Sequence, residues 1–315
     1  MLRVVERLVG KKQYVCLLIM LSYSSGSNAW FNFVDPSPDP IQLDWADQDI
    51  TVEIPFLLQS CFGTGPFTCT IARTVQTYYL QASDFNLTYD NSNGTDNTPR
   101  TIAEAIFKQA NNTDNLVNGQ RYGRFNPGDY NSVPATVTFK VLNNQLYDAL
   151  PGTYSANVVL NGLESDGFIQ DDDQTQFKFD IVIPKRVKIS GLRNIELKTT
   201  GYNAVNSGWY SFCIFSQGGT AFNLKAQGAN DSNNFVLKQG SELIDYELWI
   251  KSAGSTESQI IPMTNYQNWS GSIDKDCKSN SKNNMELEVR IQSDSLTNTS
   301  AGVYKDTVTI IVEAV

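Results

Sequence analysis

Residues 284–315 read NMELEVRIQSDSLTNTSAGVYKDTVTIIVEAV, and the given sequence ends there. Apolar and aromatic residues occupy alternate positions on both sides of a polar loop: Met285, Leu287, Val289 and Ile291 before it, and Tyr304, Val308, Ile310 and Val312 after it. A period of two is typical of a β-strand with one buried face. The stretch therefore predicts a strand–loop–strand unit.

The same unit occurs once more, 150 residues upstream. Nine positions match without a gap, and in the upstream copy they are Ala135, Val137, Phe139, Val141, Leu146, Gly152, Tyr154, Val158 and Leu160. A constant offset over that many positions indicates two copies of one supersecondary unit.

The two copies differ in the residues that come after them. After Leu160 the first copy runs through a polar loop into another alternating strand, which carries Phe177, Phe179, Ile181 and Ile183. No residues come after the second copy in the given sequence. If both copies belong to one sandwich plan, we expect the second sandwich to lack its last strand and to receive one from another polypeptide. An ordinary buried C-terminal strand is the alternative.

The first 29 residues are typical of a secretory signal. A basic region with Arg3 and Arg7 precedes a short apolar run from Tyr14 to Tyr23, and Ser27-Asn28-Ala29 fits a cleavage site. We expect a mature chain that starts at Trp30. An N-terminal anchor is the alternative, although the apolar run is short for a membrane span.

Charge and residue usage exclude several classes of function. Removing residues 1–29 takes away four basic residues and one acidic residue, which changes the net charge from −9 to −12. That charge argues against nucleic acid as a partner. The chain has no histidine, which excludes histidine-based nucleophile systems and histidine metal sites. The sequence predicts neither an enzyme nor a cofactor.

Four cysteines remain in the mature chain: Cys61, Cys69, Cys213 and Cys277. Two fall in each half, which favours one disulfide per domain in an oxidising compartment. Free thiols or a metal site are the alternatives. No CxxC spacing occurs, so a four-cysteine zinc site is disfavoured.

Many short alternating runs separated by Gly, Asn and Ser predict an all-β chain of two immunoglobulin-like sandwiches. We place the N-terminal domain at residues 30–184 and the second domain at 185–315, with the boundary at Pro184-Lys185. Residues 30–49 are predicted to be an extended leader, residues 101–112 a short helix, and residues 111–133 a long polar loop.

Two sets of residues are candidates for binding a receptor. The first combines guanidinium donors with aromatic surface in the predicted long loop: Arg121, Tyr122, Arg124 and Tyr130. The second lies in the turn between two cysteines and is apolar: Phe62 and Phe67. For both sets a structural role is the alternative. The acidic runs at 90–97 and 171–173 lack the ligand spacing of a calcium loop, so we predict no metal site.

The residues quoted above resemble a known family. AGVYKDTVTIIV (301–312) is similar to the last strand of chaperone–usher pilin domains, and so are the placements of Cys213 in WYSFCIFS and of Cys277. LPGTYSANVVL (150–160), followed by a strand ending in Ile-Pro, is similar to the end of a colonisation-factor adhesin domain. The whole chain resembles a two-domain fimbrial tip adhesin of the archaic or alternative branches, as in Csu-type and colonisation-factor-type pili.

The resemblance implies an adhesin domain at 30–184 and, at 185–315, a pilin domain without its seventh strand. A periplasmic chaperone fills the resulting groove first, and the N-terminal extension of the next subunit replaces it after passage through an outer-membrane usher. Val308, Ile310 and Val312 would lie beside the groove, and a basic chaperone residue would capture the carboxylate of Val315. The basic cluster of some colonisation-factor adhesins has no counterpart here, where LNGLES follows Val159, so a sialic-acid receptor is not implied.

The function predicted from these features is attachment to a host receptor or surface at a fimbrial tip, after secretion through the periplasm. One alternative is a minor pilin or adaptor lower in the fibre, which needs an N-terminal donor strand free to leave its own domain. A second is a secreted β-sandwich protein that acts on carbohydrate.

Overall fold

The computed structural model describes residues 27–34, 40–64, 74–90, 95–164, 172–278 and 283–315. Almost all regular structure is β, as the alternating pattern predicts. The buried apolar residues form two separate clusters, one from Phe31 to Ile183 and one from Phe212 to Leu296. We call the units built on these clusters domain 1 and domain 2. Within the described ranges no helix is long and apolar enough to cross a membrane.

Domain 1 is a sandwich of two sheets. Its elements are β1 (Ser27–Val34), β2 (Ile41–Asp44), β3 (Ile50–Thr64), β4 (Thr74–Val75), β5 (Tyr78–Ser83), β6 (Asn86–Asp90), β7 (Arg100–Thr101), β8 (Glu104–Gln109), β9 (Asn112–Asn115), β10 (Arg121–Phe125), β11 (Val133–Val141), α1 (Asn143–Leu146), β12 (Gly152–Glu164) and β13 (Asp172–Ile183). One sheet has the order β1-β3-β11-β8-β9 with β4 on β3, and the other has the order β10-β5-β12-β13-β2 with β6 on β12 and β7 on β6.

Domain 2 repeats the plan with fewer strands on one side. Its elements are β14 (Val187–Ser190), β15 (Val205–Asn206), β16 (Tyr210–Ser216), a 3₁₀ turn (Gln217–Gly219), β17 (Ala221–Gly228), β18 (Val236–Gln239), β19 (Glu242–Asp245), β20 (Glu247–Ser252), β21 (Ser258–Ile260), β22 (Tyr266–Ser270), β23 (Met285–Ile291), α2 (Ser293–Leu296) and β24 (Val308–Ala314). One sheet has the order β14-β16-β23-β20-β21 with β15 on β23. A three-stranded sheet has the order β22-β17-β24, and β18 pairs with β19.

Residues 30–49 were predicted to be an extended leader, and the described parts of this segment are extended: β1 pairs with β3 at a sheet edge and places Phe31 and Phe33 in the core, and β2 pairs with β13. Two other predictions of local structure are wrong. Residues 101–112 form no helix. They contain β8, whose alternate residues Ala105 and Phe107 are fully buried between β11 and β9. Residues 111–133 are not one polar loop, because they contain β9 and β10.

The cysteines support one disulfide in each domain. Cys213 on β16 is bonded to Cys277, with both Cα atoms 5.9 Å apart. Cys61 on β3 is disulfide-bonded as well, and position 69 lies outside the described residues.

A polar joint connects the two domains. The side-chain amide of Gln217, which is fully buried, donates to the carbonyls of Tyr147 and Ala149 at 3.0 and 2.9 Å. These carbonyls lie in the turn that follows α1, where buried backbone acceptors need a hydrogen-bond partner. Gln217 of domain 2 thus caps the turn after a helix of domain 1.

A charged cluster lies beside that cap. Arg186 contacts Asp47 through two hydrogen bonds of 2.6 and 3.0 Å, and its guanidinium lies 4.4 Å from the ring centre of Trp45. Lys275 forms a second ion pair with Asp47 at 2.7 Å. Burial acts to raise the pKa of Asp47, but hydrogen bonds from Lys275 and Arg186 outweigh it and lower that pKa. The joint therefore combines a buried cap with a charge cluster.

Replacing Gln217 with Ala should loosen this joint. Loss of the amide leaves buried carbonyls unsatisfied, at a cost of about 1–3 kcal/mol. We expect a larger maximum dimension in small-angle X-ray scattering and a lower melting temperature, whereas Gln176→Ala, at an exposed position of β13, should change neither. Identical scattering profiles for Gln217→Ala and the parent chain would contradict the role of the joint.

A second buried network stabilises the end of β12. Arg100, whose side chain is 3% exposed, forms ion pairs of 2.9 Å with Asp96 and Asp148 and donates to the carbonyl of Gln145. The Tyr154 hydroxyl donates to Asp96 at 2.5 Å. Burial acts to raise the pKa of Asp96, but hydrogen bonds from Tyr154, Thr98 and Arg100 outweigh it and lower that pKa to about 2.

This network predicts acid sensitivity of domain 1. A carboxyl whose pKa is lower in the folded state contributes stability above its unfolded pKa, and that contribution disappears as the pH falls through the folded pKa. For Asp96 the window extends from 3.8, its ordinary value, down to about 2. The melting temperature should fall through this window, and Asp96→Asn should flatten that fall, whereas Asp245→Asn, at an exposed position, should not. Equal slopes for both variants would contradict the assignment.

Candidate functional site

The strand–loop–strand repeat of the sequence is present in both domains. β11, α1 and β12 in domain 1 correspond to β23, α2 and β24 in domain 2. Both helices are single turns at the same offset of 150 residues, and each buries its leucine, Leu146 or Leu296. The two copies thus allow a position-by-position comparison of their last strands.

β12 and β24, the second strands of the two repeat units, differ in how many strands pair with them. β12 pairs with β13 along one edge and with β5 and β6 along the other. β24 pairs with β17 alone, from Val308–Gly228 to Ala314–Phe222, and no described strand pairs with its other edge. One row of backbone donors and acceptors of β24 is therefore open for pairing.

The burial of matched side chains follows this difference. Val158 and Leu160 on β12 are 0% and 1% exposed. Their counterparts on β24, Val308 and Ile310, pack against the core of domain 2 but are only half-buried, and so is Val312. In domain 1 the alternating residues of β13, all at most 2% exposed, complete the cover: Phe177, Phe179, Ile181 and Ile183. Among the described residues, domain 2 has no strand in the position that β13 occupies beside β12.

The sequence analysis missed a feature that the two domains share. In domain 1, β2 pairs in parallel with β13 and turns Ile41 and Leu43 towards the core. In domain 2, Ile195 and Leu197 of the segment 191–198 are both half-buried against the core. The matching I-x-L pattern of IQLD (41–44) and IELK (195–198) is the signal that would have found it.

The arrangement is able to accept an extended strand. Such a strand would pair with β24 through the backbone and place alternate apolar side chains beside Ile310, against the core of domain 2. If it copies β13, it runs antiparallel to β24, because β13 is antiparallel to β12. Val315, directly after β24, is 47% exposed.

The first set of predicted receptor residues does not form one cluster. Arg121 and Arg124 are exposed on the edge strand β10, and the Arg121 guanidinium lies 5.5 Å from the ring centre of Tyr79. Tyr122 points to the opposite face and packs against the core of domain 1. Tyr130 lies beside the other sheet, where its carbonyl accepts a hydrogen bond from Gln59 at 2.9 Å.

The second set is only partly described. Phe62 belongs to β3 and pairs with Thr74 on β4, and position 67 lies outside the described residues. Of the acidic run 171–173, Asp173 accepts a hydrogen bond from the backbone of Phe33 at 2.7 Å. Among the residues that the structure describes, no group of three or more cysteine, aspartate or glutamate side chains is placed to hold a metal ion.

Matched substitutions on β12 and β24 should reduce the free energy of unfolding by different amounts. Leu160→Ala removes a fully buried side chain and should destabilise domain 1 by about 2–5 kcal/mol. Ile310→Ala removes a half-buried one, so domain 2 should lose less than half as much. Native-state hydrogen exchange resolves the two domains separately. Equal losses would mean that β24 is already covered.

Comparison with known proteins gives structural neighbours only. No protein-family model and no curated protein match the chain. Among solved structures, it is similar to the tip subunit CsuE of archaic chaperone–usher Csu pili of Acinetobacter baumannii, in complex with the chaperone CsuC (14% identity, 86% of this chain and 96% of that chain, TM-score 0.43).

Two further neighbours are also adhesins. One is a CfaE mutant, the CFA/I adhesin of enterotoxigenic Escherichia coli (10% identity, 88% of this chain and 92% of that chain, TM-score 0.40). The other is the CupB6 tip adhesin of Pseudomonas aeruginosa (9% identity, 91% and 94%, TM-score 0.36). These neighbours are of the class that the sequence resembles; at such TM-scores we argue the function from this chain's own geometry.

Proposed function

We propose that this chain is the tip subunit of a chaperone–usher type fibre, in which domain 1 attaches to a receptor or surface and a neighbouring subunit donates a strand to domain 2. The open edge of β24 is the observation that carries the proposal. It joins an unpaired backbone row to a half-buried apolar row, Val308, Ile310 and Val312.

Physical chemistry requires a partner for such an edge. An unpaired strand with apolar side chains beside it is a site for association with another chain, and secreted proteins normally protect it. Domain 1 shows how such an edge is covered: β13 pairs with the equivalent edge of β12 and contributes four alternating apolar residues. A donated strand of the same pattern supplies both the hydrogen bonds and the apolar cover.

Assembly partners follow from the same edge. A periplasmic chaperone would protect the groove before assembly, an outer-membrane usher would carry the chain to the cell surface, and the next subunit would then donate the permanent strand. The carboxylate of the exposed residue Val315 suits capture by a basic chaperone residue. These roles involve binding only, and the proposed function is non-catalytic.

The tip position is supported by the start of domain 1. An adaptor within a fibre must donate its own N-terminal strand, which requires a segment free to leave its domain. Here β1 pairs along its whole length with β3, and β2 pairs with β13. Removing either would expose Phe31 or Leu43 of the core. We therefore favour the tip over the adaptor.

Strand addition is testable with a peptide. The sequence of β13, residues 172–183, already covers the corresponding position of domain 1, so a peptide copying it is a suitable probe, beside peptides from the N-terminal extensions of pilin subunits encoded with this chain. At saturating concentration, binding to the folded state alone should raise the melting temperature of domain 2 by several degrees.

Two controls define the outcome. A peptide with serine in place of the four alternating, buried apolar residues of β13 should give no shift. Ile310→Asp should abolish the shift given by the active peptide, because it places a charge beside the bound strand. If none of the strand peptides raises the melting temperature of the parent chain, the proposed function is wrong.

A further inference from the structure

The sheet of domain 1 that contains β12 has a notch in it. β5 pairs with β12 from Val159 to Glu164, and β6 pairs with it from Thr153 to Ser155. Between these registers, Ala156, Asn157 and Val158 have no strand partner on that side among the described residues. The chain crosses from β5 to β6 at Asp84, which adopts a φ of 63°. This crossing leaves a cavity of about 570 Å³.

Six of the nine residues that line the cavity carry short polar side chains. One row crosses three strands, Thr88 on β6, Ser155 on β12 and Asp180 on β13. The other groups that line it are Pro40, Asp84, Asn86, Ala156, Asn157 and Lys178. Ser155 donates to Asp180 at 2.6 Å, and most of the remaining side chains are exposed. Carboxylates, amides, hydroxyls and one ammonium group therefore converge on one small space.

From this lining we infer that the notch binds a neutral hexose unit of a glycan. Carboxylate and amide oxygens accept hydrogen bonds from hydroxyl groups, and amide and ammonium groups donate to them, so adjacent sugar hydroxyls find partners of both kinds. The volume lies within the range of ligand pockets, about 300–1,000 Å³. The ring of Pro40 offers the single large apolar contact, suited to the C–H face of a sugar.

The charged groups at the cavity favour a neutral sugar over an acidic one. Asp84 and Asp180 place two carboxylates at the cavity, against the single ammonium of Lys178. A sialic acid or sulfated sugar would add a further negative charge beside them, which is unfavourable. The absence of an aromatic residue from the lining argues against a purely apolar ligand.

The inference rests on the proposed adhesive role of domain 1 and names the ligand class that domain 1 would recognise. It places the site on the face of a sheet, on side chains held by paired strands. That face is distinct from the edge strand carrying Arg121 and from the turn near Phe62. Rigid strands hold such groups more closely in register than loops do.

The test uses the mature full chain on an array of oligosaccharides that end in neutral hexoses, N-acetylhexosamines or sialic acid. We expect binding to neutral hexose termini and none to the sialylated forms. Asn157→Ala should reduce the affinity for the bound oligosaccharide at least tenfold, the equivalent of about 1.4 kcal/mol. Asn118→Ala, the same change at an exposed turn position outside the cavity, should leave the affinity unchanged.

Three results would overturn the inference: no neutral glycan bound, preference for sialylated glycans, or equal binding by Asn157→Ala and the parent chain. Circular dichroism of each variant shows whether it folds, and Asn157 is an exposed side chain whose loss should not unfold domain 1. Failure here leaves the strand-peptide test of domain 2 unaffected. If the chain binds a glycan but no strand peptide raises its melting temperature, the proposed fibre role is wrong and the sugar site is retained.

Discussion

The backbone pairing of β24 is the constraint on which domain 2 depends. Among the described strands only β17 pairs with it, along one edge, and its apolar row is half covered. Burying backbone donors and acceptors without partners costs stability, so the other edge has to face either water or another chain. Apolar side chains beside that edge make contact with water unfavourable. Under the proposed function, association with another chain covers this edge.

The joint between the domains connects the strands around β24 with domain 1. β14 lies against β24 near the groove and begins directly after Arg186, whose guanidinium contacts Asp47 and Trp45 of domain 1. Gln217, which follows β16, reaches the end of α1. Under the proposed function, tension applied through a strand paired with β24 would pass along β14 and β16 into this joint, in addition to the short segment at Pro184. The proposed position at the end of a fibre would require such a connection.

The alternation of apolar and polar residues in the sequence predicted strands that bury one face in a sandwich. The alternation at 285–291 and 308–312, and the 150-residue repeat, identified β23, β24 and the open edge. The helix predicted at 101–112 was wrong: Ile102, Ala105 and Ile106 fit one helical face, whereas Ala105 and Phe107 fit one strand face, and pairing with β11 outweighs the helix propensity of Ala, Glu and Lys. The contacts of Gln217 and the notch beside Asn157 depend on how strands distant in sequence align with each other. The local alternation of residues does not reveal that alignment.

The groove and the notch arise from one feature, incomplete pairing along equivalent strands. Within the described parts of the chain, β5 and β6 leave three residues of β12 without a partner on one side, and β24 has no strand along one whole edge. What each gap can hold depends on the face that lines it. At the notch the lining side chains point outward and are polar, which suits a hydroxylated ligand. At β24 the gap exposes the inward, apolar face, and only an extended chain satisfies its backbone and its core together. The same topological deviation therefore gives two different binding chemistries.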